Sequence, residues 1–294
     1  MLETILVAMF LAFGSILPII YDGLERKVRA ALQSRIGPPI TQTLYDVVKL
    51  FHKESKPVNT YPYVAYAVVT SILLLTASLT GLALLALTGD YATYLTLTII
   101  TLMVAHTSQT IAPLLIPSPF SQIGGAREVV LSLVNESTLL VSVGIYLATS
   151  PKTLNRPLDP ALAIGVAIVL TMLAISTYVA TGRTPFDIAE AEPELASGTI
   201  VELSGPLLAL HIYSTLMKRL VVKTLFVLLA LMLFVAPGPL LLALAFISIP
   251  VAWLAYSIPA VLLGRSRIDL APRTLVKIYL VLLALSITEL LLVM

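Results

Sequence analysis

Long apolar runs constrain the fold of this chain more than any other feature of its sequence. A helix that crosses the hydrocarbon core of a bilayer needs roughly 20 consecutive apolar residues. Spanning strands would instead show alternating segments of about ten residues, and these are absent. We therefore predict an all-α polytopic membrane protein that forms a single membrane domain over residues 1–294. The apolar runs fall at about 2–20, 64–88, 94–116, 127–149, 161–181, 203–236, 239–263 and 274–293.

The composition excludes an ordinary soluble domain. Hydrophobic residues make up 58% of the chain and charged residues only 12%, whereas soluble domains are about a quarter charged. Cysteine is absent, which excludes disulfides, Cys-ligated zinc and iron–sulfur clusters on this chain and agrees with a thermophilic source. His106 and His211 lie in predicted spans, where we expect hydrogen-bonded core histidines; a haem-ligand pair is the alternative.

The run 203–236 decides the topology because it is long enough for one tilted helix or for two short ones. As one helix, it places the segments 22–63, 117–126, 182–202 and 264–273, which together hold eleven of the eighteen Lys and Arg residues, on the same side of the membrane. The positive-inside rule makes that side cytoplasmic and puts the N-terminus outside. The prediction is therefore about eight transmembrane helices, with the first at 2–20 and large cytoplasmic loops at 22–63 and 182–202.

The loop 22–63 has its own pattern. Apolar residues recur at helical spacing on both sides of "GPP" (37–39), which predicts two short amphipathic helices at the membrane surface. The basic residues can act as headgroup anchors, but the interleaved acids and the rigid turn favour a more specific role. The candidate site residues here are Glu25, Arg26, Lys27, Arg29, Arg35, Asp46 and Lys49.

The loop 182–202 concentrates negative charge in an apolar chain. The stretch "RTPFDIAEAEPELASGTIVE" (183–202) holds five of the sixteen carboxylates. The positive-inside rule does not require acidic residues, and the interleaved apolar side chains allow the segment to pack instead of remaining a solvated loop. We call it the acidic loop and expect it to face the basic segment 25–39. Its candidate coupling residues are Arg183, Asp187, Glu190, Glu192, Glu194 and Glu202.

Charged residues inside the predicted spans form a third candidate group. Glu136 lies near the middle of 127–149, where a carboxylate costs several kcal/mol unless it is paired or protonated. Proton-relay or ion-site residues are the default interpretation, and an interhelical hydrogen bond is the alternative. Three cations in 203–236 are expected to face the bundle interior and to pair with carboxylates such as Glu136, or else to snorkel at a helix break. This intramembrane relay comprises Glu128, Glu136, Lys218, Arg219 and Lys223.

Four motifs, in order along the chain, resemble the membrane protein of respiratory complex I that is called NADH dehydrogenase subunit 1. The family includes the equivalent subunit of membrane-bound group 4 nickel–iron hydrogenases and related archaeal complexes. The motifs are "ERKVRAALQSRIGPP" with "DVVKLFHKE" (46–54), "IGGAREVVLSLVNE" (123–136), "TGRTPFDIAEAEPELASGTIVELSG" (181–205) and, more weakly, "RSRIDLAPRTLVK" (265–277).

The resemblance implies a connector in the cell membrane, with no catalytic residue, metal or cofactor on this chain. Its partners would be hydrophilic iron–sulfur subunits, a large subunit like that of nickel–iron hydrogenases, and antiporter-like membrane subunits, with no nucleic acid. Iron–sulfur clusters and a nickel–iron centre would belong to those partners. The acidic loop would lie near the end of the iron–sulfur chain, and its carboxylates with Glu136 would begin a polar path through the membrane.

Departures from the respiratory pattern favour the hydrogenase-type or sulfur-reducing branch. Thr215 stands where the respiratory pattern has a glutamate, and "GRTPFD" stands where it has "NRAPFD". A quinone-site subunit of an NADH- or F420-type quinone oxidoreductase is the alternative. Two further hypotheses are a stand-alone secondary transporter, for which the expected inverted repeats are absent, and a purely structural membrane anchor.

Overall fold

The computed structural model describes residues 2–55, 61–149, 160–189, 195 and 198–293. Within these ranges every regular element is a helix. A π-helical turn at Tyr91–Leu95 precedes α4, and a single α-helical turn at Thr199–Glu202 precedes α7. The helices are α1 (Leu2–Leu32), α2 (Gln42–Phe51), α3 (Tyr61–Thr88), α4 (Thr96–Leu114), α5 (Pro119–Thr149), α6 (Pro160–Ala180), α7 (Gly205–Leu231), α8 (Pro239–Ala255), α9 (Ser257–Leu262) and α10 (Leu270–Val293).

The described helices confirm a polytopic, all-α architecture. Seven segments in the described residues are long and apolar enough to cross a membrane: α1, α3, α4 with its π turn, α5, α6, α8 with α9, and α10. The eighth predicted run, 203–236, contains α7, which is one unbroken helix of 27 residues. At 1.5 Å per residue this helix is about 40 Å long. The run therefore forms one long helix and not two short ones. The side on which the N-terminus lies stays a prediction.

The segment after residue 20 differs from the prediction. Residues 22–32 continue α1 instead of forming a separate surface helix. Salt bridges from Arg26 to Asp22 and from Arg29 to Glu25 join successive turns, which supports helical continuation. The connection to α2 folds back onto α1, and a Cβ at Gly23 would collide with the Ile40 carbonyl. The second half of the segment 22–63 contains α2, which is the amphipathic helix that the periodicity predicted.

The charged helix α7 occupies the centre of the bundle. It packs against α1, α2, α3, α4, α6 and α8. Leu216, Leu220, Val221 and Leu228 are buried along it. On one side of this centre, α5, α6 and α10 pack against one another. The central position explains how a helix with three cations can lie in an apolar bundle, because neighbouring helices shield it from lipid.

The natural absence of cysteine makes the predicted orientation directly testable. Arg267 lies before α10 with its side chain 78% exposed, and Phe234 lies between α7 and α8 and is 79% exposed. We expect Arg267→Cys to react with a membrane-impermeant maleimide only in inside-out vesicles, and Phe234→Cys only in right-side-out vesicles. The unsubstituted chain is the control. Labelling of both positions from the same side would contradict the topology.

Candidate functional site

A polar cavity of about 80 Å³ lies between α4, α5, α7 and the beginning of the acidic loop. That volume can hold several water molecules. Phe186 and Asp187 of the acidic loop form part of its wall, so the cavity connects the loop with the interior of the bundle. The polar and charged residues along its wall include His106, Gln109, Thr110, Glu128, Thr181, His211, Lys218 and Arg219.

His106 joins two carboxylates inside this region. Its Nε2 lies 3.5 Å from Glu128 Oε1, and its Nδ1 contacts Glu136 Oε1. A neutral imidazole carries one N–H, whereas an imidazolium carries two. Protonation of His106 therefore allows it to donate toward both carboxylates, and loss of that proton leaves one contact without a donor. The arrangement can accept and release a proton with little movement of heavy atoms.

The sequence predicted that Lys218, Arg219 and Lys223 of α7 face the interior; Lys218 and Lys223 are buried, and Arg219 is partly buried. Lys218 is buried, with its Nζ 3.9 Å from Glu128 Oε1. The sequence predicted pairing with a carboxylate such as Glu136; the carboxylate next to Lys218 is Glu128, whereas Glu136 is contacted by His106 of α4. The intermediate imidazole was missed because an isolated histidine in an apolar run does not indicate which carboxylates it will meet.

A smaller cavity of about 20 Å³ continues beyond His106. It shares His106 and Lys218 with the polar cavity and adds Asn135 and Glu136. Asn135 Nδ2 donates to the Ser176 carbonyl at 3.1 Å, and its Oδ1 accepts from the Tyr279 hydroxyl at 2.8 Å. Polar groups therefore continue from the acidic loop toward α10. We call this series the polar line: Asp187, Glu128, Lys218, His106, Glu136 and Asn135.

Glu25 holds the base of the acidic loop. It is buried and contacts Arg183, which is also buried. Arg29 Nη2 lies 2.5 Å from Glu25 Oε1, and Trp253 Nε1 donates to Glu25 Oε2 at 2.7 Å. One carboxylate therefore connects α1, the loop and α8. Removing it would leave the Arg183 guanidinium buried without its counter-charge.

Lys223 is stabilised by aromatic rings. It is fully buried, and its Nζ lies 3.5 Å from the Trp253 ring centroid and 5.7 Å from that of Tyr256. Within the described part of the chain, this Nζ has no hydrogen-bond partner. A tryptophan face attracts an ammonium electrostatically, and more strongly when the pair is desolvated. Trp253 was not among the predicted site residues, because one aromatic residue in an apolar run is typical of any membrane helix.

The acidic and basic segments meet only in part. Arg183 of the acidic loop contacts Glu25, but Asp187 pairs with Arg265 at 3.0 Å, outside the segment 25–39. Glu202 Oε1 accepts a hydrogen bond from Ser118 Oγ at 2.6 Å. The acidic loop was expected to face the basic segment 25–39. For Asp187 the structure corrects this expectation, because its partner Arg265 lies in the segment before α10. Three predicted coupling residues lie outside the described residues: Glu190, Glu192 and Glu194.

The other basic-segment candidates lie around Asp22 or at the surface. Arg26 pairs with Asp22 at 3.0 Å and with Asp46 at 3.3 Å. Arg219 of α7, a candidate of the intramembrane relay, also lies near Asp22. It donates to the Thr181 carbonyl at 2.9 Å, and its Nη1 lies 3.9 Å from Asp22 Oδ1. The structure does not bring the remaining candidates into the polar cavity, and all of them lie at the surface: Lys27, Arg35 and Lys49.

The donor set does not resemble a metal or haem site. Among the described residues, no three His, Asp or Glu side chains converge as metal ligands. Both ring nitrogens of His106 face carboxylate oxygens, so a haem iron would have to displace one of them. The chemistry that this arrangement supports is the movement of protons or small ions.

Comparison with known proteins identifies relatives over most of the chain. The family model described as NADH dehydrogenase matches residues 4–294. Formate hydrogenlyase subunit 4 of Escherichia coli (strain K12) is 29% identical over 274 residues, which cover 86% of this chain and 87% of that protein. Hydrogenase-4 component C of the same organism is 30% identical over 221 residues, covering 71% and 69%.

Two further comparisons extend the relationship. NADH-ubiquinone oxidoreductase chain 1 of Coturnix japonica is 32% identical over 222 residues, covering 68% of this chain and 66% of that protein. A chain of the membrane-bound sulfane sulfur reductase, described as an archaeal respiratory membrane complex, superimposes with a TM-score of 0.75 and 21% identity. That alignment covers 98% of this chain and 100% of the other, and at this identity it establishes the fold alone.

The Glu25–Arg183 contact predicts a large stability effect. Glu25→Gln should lower the free energy of unfolding by about 3–5 kcal/mol, because it leaves a buried arginine without its counter-charge. The measurement is denaturation of the purified chain in mixed micelles. Asp269→Asn is the matched control: Asp269 pairs with Arg267 at 3.3 Å, but both side chains are exposed, so it should cost about 1 kcal/mol or less. Equal losses would contradict the proposed importance of the buried pair.

The Lys223–Trp253 contact predicts a spectroscopic effect, since Trp253 is the chain's single tryptophan. Lys223→Met should shift the emission maximum and change the fluorescence yield of the purified chain, because the ammonium over the indole ring is lost. Lys277→Met is the control, because Lys277 is exposed on α10. Unchanged emission in Lys223→Met would show that the ammonium does not lie over the ring.

Proposed function

Since the chain belongs to the NADH dehydrogenase subunit 1 family, we propose that it is the membrane connector subunit of an ion-translocating oxidoreductase complex. It is a multi-pass protein of the cell membrane. The connector would couple electron transfer in a hydrophilic iron–sulfur arm to movement of H⁺ or Na⁺ in the membrane arm. In this role the chain carries no redox centre and has no catalytic activity alone.

The observation that supports this proposal best is the pair of contacts at His106. They join Glu128, at the polar cavity, to Glu136, deeper along α5. A charge change near the acidic loop would act on Asp187 in the cavity wall, and its field would reach Glu128 and Lys218 through the low-dielectric interior. The imidazole that joins Glu128 to Glu136 can accept a proton on one ring nitrogen and donate one from the other. The charge change would therefore shift a proton between Glu128 and Glu136.

The predicted partners follow from the relatives. Formate hydrogenlyase subunit 4 and hydrogenase-4 component C are, by name, parts of hydrogenase-type assemblies. By analogy, we expect this chain to assemble with hydrophilic iron–sulfur subunits, a large nickel–iron-hydrogenase-like subunit and antiporter-like membrane subunits. Iron–sulfur clusters and a nickel–iron centre would lie on those partners, above the acidic loop.

The volume of the polar cavity favours the hydrogenase-type or sulfur-reducing branch. Pockets that bind small organic molecules measure about 300–1,000 Å³, whereas this cavity measures about 80 Å³. A space of that size suits water and ions better than a quinone headgroup. A quinone-site subunit is the second candidate, because one relative is chain 1 of NADH-ubiquinone oxidoreductase. Hydrogen, sulfur species and quinone offered in turn to the purified complex would separate the two.

The polar line predicts separable effects on electron transfer and on ion movement. In the assembled complex, His106→Gln and Glu136→Gln should leave electron transfer between donor and acceptor near the wild-type rate. Ion uptake into vesicles should fall at least about tenfold, because a positioned proton donor or acceptor contributes roughly 10²–10⁴ to proton-transfer rates. The readout is the number of ions taken up per electron pair.

Ser108→Ala is the matched control on α4. Its hydroxyl donates to the Val104 carbonyl of its own helix at 2.9 Å, two residues from His106, so the ion-to-electron ratio should not change. If the Glu136→Gln complex kept both electron transfer and ion uptake, Glu136 would not be on the path.

Purification tests the transporter hypothesis separately, because a stand-alone transporter would be isolated without iron–sulfur partners.

A further inference from the structure

A large apolar groove lies on the outer side of the bundle, between α5, α6 and α10. Its volume is about 360 Å³, which falls in the range of ligand-binding pockets. It is separate from the polar cavity and has no part in the proposed proton path. Leu133 and Leu280 form its rims and are 66% and 59% exposed, so the groove opens toward the surroundings of the bundle.

The floor of the groove is rigidly built. Met172 of α6 and Tyr279 of α10 are almost fully buried beneath it. The Tyr279 hydroxyl donates to Asn135 of α5, and Asn135 in turn donates to the Ser176 carbonyl of α6. These hydrogen bonds fix the three helices that form the groove. A preformed concave surface binds a flexible chain at lower entropic cost than a surface that must first be ordered.

Two cations stand beside the groove, on the same stripe of α10 as the rim residue Leu280. Arg273, Lys277 and Leu280 follow the i, i+4, i+7 spacing of one helix face, and both cations are exposed. Nearby bases are paired: Arg265 with Asp187, and Arg267 with Asp269. Among the described residues, no carboxylate forms a salt bridge with Arg273 or Lys277, so their charge remains available to an external anion.

The spacing of these groups matches one leaflet of a bilayer. From Arg273 to Leu283, the last α10 residue in the groove, ten residues rise about 15 Å. Half of the hydrocarbon core of a bilayer is also about 15 Å. The cations lie near the start of α10, which the predicted topology places at the cytoplasmic surface, and the apolar wall extends from there into the membrane. A headgroup beside the cations would therefore continue into an acyl chain beside Leu280 and Leu283.

We propose that this groove is a binding site for one anionic phospholipid of the cytoplasmic leaflet. The phosphate lies between Arg273 and Lys277, and one acyl chain lies between α5 and α10. A packed partner helix would fill the apolar part equally well, but it would not require two unpaired cations at the membrane surface. Basic residues next to grooves between transmembrane helices are typical of sites for anionic headgroups.

Lipid binding to the purified, delipidated full chain tests this site. The probes are phosphatidylglycerol and phosphatidylcholine with identical acyl chains, titrated separately and counted by native mass spectrometry. We expect a single phosphatidylglycerol to bind roughly thirtyfold more tightly than phosphatidylcholine, because each of the two cations contributes about five- to sixfold. The double variant Arg273→Gln/Lys277→Gln should bind both lipids equally. Val141→Phe, which fills the groove from α5, should weaken binding of both.

Arg267→Gln is the charge-matched control, since Arg267 is exposed and paired with Asp269; it should preserve the thirtyfold preference. The melting temperature without added lipid is measured for every variant. If the double variant melts at a lower temperature than the wild-type chain, Lys277→Gln alone replaces it. Equal binding of the two lipids by the wild-type chain would overturn the proposal, as would an unchanged preference in the cation variants. The intact complex offers a further check. If the Val141→Phe complex loses a membrane subunit, and the wild-type complex carries no lipid in the groove, the groove binds a partner helix and the proposal is wrong.

Discussion

The cost of placing charge in an apolar bundle organises this structure. An uncompensated charge at bilayer depth costs several kcal/mol, and α7 carries three cations within six residues. Each cation is accommodated differently: Lys218 by a carboxylate, Arg219 by Asp22 and a carbonyl oxygen, and Lys223 by the Trp253 ring. These partners come from α5, α1, the residue that follows α6, and α8. The helix must therefore lie at the centre, with the others arranged around it.

This arrangement connects the acidic loop to the interior in two ways. The polar line begins at Asp187 and continues through Glu128 and His106 to Glu136. The loop's Arg183 separately contacts Glu25, which accepts a hydrogen bond from the indole that packs on Lys223. Under the proposed coupling, a charge change at the loop would act on α7 through ionisable groups and through packing. The first suits proton movement, and the second holds the loop in register with α7.

The two surfaces of α5 serve different environments. Glu128 and Glu136 face the polar line, whereas Leu133 and Val141 face the apolar groove. Asn135 lies between them, because it lines the inner cavity and is hydrogen-bonded to Tyr279 in the groove floor. One helix therefore separates a polar interior from the apolar exterior, with a hydrogen-bonded amide as the boundary.

The sequence by itself determined that the chain forms long membrane-spanning helices and roughly where they lie, because apolar length and charge content are local properties of the chain. It also identified Glu136 and the cations of α7 as charges within apolar helices that require partners, since the cost of placing a charge in the membrane does not depend on the fold. The choice of partner was decided by tertiary structure alone. Glu25 and Trp253 are 228 residues apart, and His106 occupies the position beside Glu136 where a cation of α7 was expected. Which side chain meets a buried charge depends on how helices distant in sequence pack, and no local pattern encodes that.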